Sequence, residues 1–83
     1  MPNRSKSLEQ AFGRRLQDRR VKRGLSQEEL AHQSGLHRTY ISQIERGLKS
    51  PTLATIYAIA TALEEDAGAL ISALLPKRNG RRT

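Results

Sequence analysis

The sequence predicts an all-α fold: one compact domain of five short helices around a single core. Three observations carry this. Ser26 stands three residues before Glu29, the spacing of a reciprocal helix N-terminal cap. Glycines (Gly24, Gly35, Gly47) follow apolar-patterned stretches where a helix needs a left-handed stop. Within those stretches apolar residues recur three and four apart, one face of a helix. Eighty-three residues suffice for one such core and leave no room for a second domain.

The first helix is expected from a cap at Ser7, with Gln10 three residues on, to about Arg23. Leu8, Phe12 and Leu16 form its apolar stripe, and Arg20 continues it. The Arg20 stem packs inward, so its head needs a carboxylate; Glu45 is the natural candidate. The second helix opens at Ser26, places Leu30 and Ala31 inward, and stops at Gly35; Leu36 plugs the turn. The third begins at His37 or Arg38 and runs to Arg46. Ile41 and Ile44 share its inner face, while Arg38, Thr39, Ser42, Gln43 and Arg46 fan over the outer one. That face carries guanidinium, hydroxyl and carboxamide groups, the donors and acceptors that read base edges and grip phosphates. Tyr40 lies at its margin, where core packing and a phosphate or base contact both stand open.

Thr52 caps a fourth helix to about Leu63, with Leu53, Ile56, Ile59, Ala60 and Leu63 inward. Asp66 caps a fifth, Ala67 to Leu75, which Pro76 ends. Leu70 and Leu74 can meet the core, and Ile71 and Leu75 lie on the adjacent flank. The apolar stripe is then wider than one small domain needs. Residues 1–6 and 76–83 are expected to be flexible basic tails flanking a domain of residues 7–75.

The net charge of +7 points towards polyanions, but its distribution qualifies that. Six of the 15 basic residues lie in the tails, which leaves the body close to neutral. Six others crowd the first helix, opposite in sign to Glu64, Glu65 and Asp66 near the end. Absence of cysteine excludes disulfides and thiolate metal sites. His32 and His37 have no third ligand nearby, so no metal is expected. Neither a His-centred nucleophile arrangement nor a phosphate-cradling glycine loop occurs, so no catalysis, cofactor or small-molecule ligand is expected. An RNA reader would need an aromatic stacking platform that is lacking. No signal peptide or membrane span is legible, and the chain is expected in the cytoplasm.

GLSQEELA (24–31), SGL (34–36), RTYISQIERG (38–47) and SPTLATIYAIATAL (50–63) together resemble the Cro/phage-repressor (XRE) helix-turn-helix family. With a basic first helix in front, the likeness covers about residues 8–75. RTYIS is also similar to the small controller proteins of restriction–modification systems. The resemblance implies a lambda-repressor-like domain that binds double-stranded DNA as a homodimer and regulates transcription. It implies that Arg38, Thr39, Ser42 and Gln43 read bases. Gln27, Tyr40, Arg46, Lys49 and Ser50 would then hold phosphates, Gln27 at a helix N-terminus whose dipole favours an anion. It also implies the Arg20–Glu45 pairing between first and third helices. For the dimer interface the candidates are Ile71 and Leu75, with Leu63 contributing. The alternative is an interaction or antitoxin-type module that keeps the fold without reading DNA.

Overall fold

The computed structural model describes residues 4–72 and 74, with side chains from residue 8. Five helices follow in order: α1 (Arg4–Lys22), α2 (Gln27–Ser34), α3 (Arg38–Glu45), α4 (Leu53–Leu63) and α5 (Ala67–Ser72). No strand occurs among the described residues. No helix among them is long and apolar enough to cross a membrane.

One core joins all five. Phe12 and Leu16 enter from α1, Leu30 and Ala31 from α2, Ile41 and Ile44 from α3. Ile59, Ala60 and Leu63 enter from α4 and Leu70 from α5. Burying a leucine, isoleucine or phenylalanine side chain contributes about 1.5–3 kcal/mol, which is what holds helices too short to stand alone.

The helix ends follow one scheme. Gly24, Gly35 and Gly47 take left-handed φ of 72°, 73° and 76°. After each, the leucine N–H reaches back to the carbonyl five residues earlier: Leu25 to Arg20, Leu36 to Ala31, Leu48 to Gln43. α4 ends the same way, with Glu65 donating to Ala60, but its left-handed residue is Glu64 at φ 58°. At the other ends, Ser26 and Glu29 form the reciprocal cap of α2, and Thr52 Oγ1 accepts from the Thr55 amide at 3.1 Å.

Several expectations are corrected. α1 starts at Arg4, so Ser7 is helix interior and not its cap, and the arm expected over residues 1–6 is helical from Arg4. Arg4 and Lys6 are good helix formers, and nothing in this turn opposes extension. Leu8 is half exposed, at the end of the α1 stripe. Leu53 is 83% exposed: as the first residue of α4 it lies beyond the edge of the core, and Thr55 is buried instead. Leu63 is fully buried within the chain's own core and so has no surface to offer a partner. α5 is described over Ala67–Ser72, and Leu74 lies in a turn. Leu75 and the tail of residues 76–83 lie outside the described residues.

α1 comes against the end of α3 with almost no clearance. A Cβ built on Gly13 would lie 2.4 Å from both the Ile44 and Glu45 carbonyl oxygens. One on Gly47 would lie 2.7 Å from Gln10 Cγ. These two glycines fix how deeply α1 seats on α3, and so how far α3 stands out from the body.

Candidate nucleic-acid interface

α3 divides sharply between its two faces. Ile41, Ile44 and Glu45 are buried against α1 and α2, while Arg38, Thr39 and Arg46 are exposed. Ser42 and Gln43 are half-buried at the flanks of the exposed face. Tyr40 packs its ring against the core margin and stays partly exposed. His37 occupies the cap position of α3 without a capping side-chain bond. Lys49 and Ser50 are exposed in the loop that leaves α3. The groups expected to read bases therefore lie on one helix face, and Arg46, Lys49 and Ser50 continue from its C-terminal end.

Behind that face sits a buried polar node. Glu45, its side chain 3% exposed, accepts from Arg20 Nε at 2.6 Å and from Arg20 Nη2 at 3.0 Å. Arg20 Nη1 donates to the Leu25 carbonyl at 2.8 Å. Gln27 Nε2 donates to Glu45 Oε1 at 3.0 Å. The structure thus brings Arg20 and Glu45 together and adds Gln27, which sequence reasoning assigned to phosphate alone. The signal was absent from the sequence: nothing in the spacing shows that the first residue of α2 meets the last of α3.

The charges sort themselves by face. Arg19 Nε donates to Glu65 Oε2 at 2.6 Å, and Arg23 pairs with Glu64 at 3.4 Å. The acidic cluster after α4 therefore answers cations at the end of α1. No carboxylate among the described residues pairs with Arg38, Arg46 or Lys49. Gly13 was also missed; a lone glycine inside a helix, about 1 kcal/mol worse than alanine, is itself a sign of close packing. Arg15 Nε is buried without a partner, and nothing in the structure explains it.

Among the described residues no group of three metal-ligating side chains converges. An open apolar groove of about 240 Å³ lies between α1 and α5, with Leu8, Phe12, Pro51, Ile56, Ile71 and Leu74 in its walls.

Known proteins resemble this chain in sequence and in fold. Control protein C.BamHI of Bacillus amyloliquefaciens is 47% identical over 53 residues, 63% of this chain and 65% of that protein. Control protein C.SmaI of Serratia marcescens is 48% identical over 48 residues, 58% of this chain and 57% of that protein. The chain thus spans somewhat under two thirds of each of these curated relatives. Among solved structures, the restriction–modification controller protein C.AhdI from Aeromonas hydrophila superposes with a TM-score of 0.74 at 44% identity. That match covers 75% of this chain and 94% of that one. A helix-turn-helix family model, HTH_3, matches residues 16–70, from the middle of α1 through Leu70 of α5. With α2, the Gly35 turn and α3 at the centre of that match, the chain belongs to the HTH_3 (XRE-type) helix-turn-helix family.

Proposed function

We propose that the chain is a sequence-specific regulator of transcription that binds double-stranded DNA as a homodimer in the cytoplasm, without a catalytic step. α3 lies in the major groove. Arg38, Thr39, Ser42 and Gln43 meet base edges there, and Gln27, Tyr40, Arg46, Lys49 and Ser50 meet phosphates on either side. The observation that carries the reading is the outer face of α3. Its exposed Arg38, Thr39 and Arg46, flanked by the half-buried Ser42 hydroxyl and Gln43 carboxamide, are backed by a close, glycine-seated contact with α1. The two cations nearest it, Arg38 and Arg46, are exposed and unpaired by carboxylates among the described residues.

A single α3 spans too few base pairs for a selective operator. Two copies related by a two-fold axis would set their third helices roughly 34 Å apart, one turn of DNA. The surface proposed for that pairing is Ile71, on the side of the body formed by α5, together with Leu75, which lies outside the described residues. Ile71 is partly exposed and packs against the core from its margin. Regulation then follows from occupancy of the operator, as the control proteins named above suggest for a chain of this family.

Selection of bound duplexes from a random pool tests this. One enriched, two-fold symmetric sequence is the expected result. A protein that retains no duplex above background would overturn the reading in favour of a protein-interaction module.

A further inference from the structure

Gln27 belongs to α2 and Glu45 to the last turn of α3, yet their side chains are joined at 3.0 Å. We infer that Glu45 is a positioning residue for DNA binding: it anchors one N–H of the Gln27 carboxamide and so aims the other at a backbone phosphate. The inference rests on the reading of α3 as the DNA-facing helix.

Three N–H donors converge on the buried Glu45 carboxylate, two from Arg20 and one from Gln27. Arg20 is itself fixed at a third point, the Leu25 carbonyl. The carboxylate therefore cannot swing away, and the Gln27 head is tied to a rigid point. A carboxamide nitrogen carries two N–H groups. One is used by Glu45, and no acceptor among the described residues takes the other. Gln27 is only partly buried, at the first position of α2. Its own backbone N–H and that of Glu28 precede the first intrahelical donor, Leu30, and Ser26 Oγ takes only the Glu29 amide. An anion approaching this corner meets helix N–H groups together with a side-chain N–H already held in place. An unanchored glutamine would have to freeze its rotamers on binding, so anchoring pre-organises the contact. The same carboxylate that ties α1 to α3 thereby sets a phosphate contact on α2.

A mutant cycle tests this, with affinity for a random-sequence duplex at low salt measured where each variant is folded by its melting curve. Gln27→Ala in the otherwise unchanged protein is expected to weaken binding about tenfold, the loss for one hydrogen bond to a charged acceptor. In an Arg20→Leu/Glu45→Leu background, where the charges leave together, the same change is expected to cost less than twofold. In an Arg20→Leu/Glu45→Gln background the carbonyl of residue 45 can again accept from Gln27, and the larger effect is expected to return. An equal loss in all three backgrounds would overturn the inference, since Gln27 would then act without its anchor.

A second measurement needs no double variant to fold. In the unmodified protein, the carboxamide proton of Gln27 held on Glu45, assigned by its absence in Gln27→Ala, is expected to resonate well downfield of its counterparts in the exposed Gln17 and Gln33 before DNA is added. On titration with duplex the unanchored one is expected to move. Shifts for both protons equal to those of the exposed Gln17 and Gln33 would overturn the anchoring. A protein that binds no duplex at all would overturn both the underlying reading and this inference. Loss of only the Gln27–Glu45 dependence would leave the underlying reading intact.

Discussion

Arg20 was placed correctly from its sequence position because a charge in an apolar stripe has few places to go. A stem that packs beside Leu16 takes its head into the body, and only a carboxylate can meet it there. Glu45 does so with both oxygens. Removing one member of a buried pair strands the other, at about 3–5 kcal/mol. Glu45→Ala is therefore expected to lower Tm by roughly 15 °C or more for a domain of this size. Glu64, whose side chain is 72% exposed and 3.4 Å from Arg23, is the contrast. Glu64→Ala is expected to shift Tm by a few degrees at most, as exposed pairs contribute little. Equal melting temperatures for the two variants would mean that the buried pair holds nothing together. At the DNA face the expected signature is different. Arg46→Ala and Lys49→Ala are expected to weaken specific and random duplexes alike and to lower the salt slope by about one each. A change in base preference from either would reassign it to readout.

At the scale of elements, helix ends were legible and helix depths were not. A glycine followed by leucine marks a left-handed stop and an apolar plug, and three of the four such ends were visible as Gly24-Leu25, Gly35-Leu36 and Gly47-Leu48. The fourth, at Glu64, has no glycine to mark it. Leu53 looked inward because it keeps helical spacing with Ile56 and Ile59. Spacing gives the direction of a side chain but not whether the core extends that far, and here it does not. Leu53→Ser is accordingly expected to change stability by no more than about 0.5 kcal/mol. Gly13 is the reverse case, unremarked in the sequence and critical in the packing. Gly13→Ala gains up to about 1 kcal/mol in helix propensity but drives a methyl into two carbonyl oxygens, an overpacking that costs about 1–3 kcal/mol and displaces α1. A lower denaturation midpoint is expected; a higher one would show that α1 does not seat this closely on α3.

For the molecule as a whole, fold and family were legible because they depend on an ordered series of caps, stops and apolar faces along most of the chain. The pairing of copies was less so. Leu63 was expected inward and, at the C-terminus of α4, as a contributor to the interface; it is fully buried in the core and only the first role stands. Ile71 and Leu75 remain the proposed surface, and sedimentation at micromolar concentration checks it. A dimer is expected for the unmodified chain and a monomer for Leu75→Asp with its helical content retained. A dimer unaffected by charge at 71 and 75 would move the interface elsewhere. The central claim, that α3 reads base edges, is tested most directly by selecting duplexes from one random pool with the unmodified protein and with Arg38→Ala. An arginine held bidentately on guanine discriminates by about 1–3 kcal/mol, so the variant is expected to lose preference at one base pair per half-site and keep it elsewhere. Equal loss of affinity for selected and random duplexes, with the preference unchanged at every position, would contradict it.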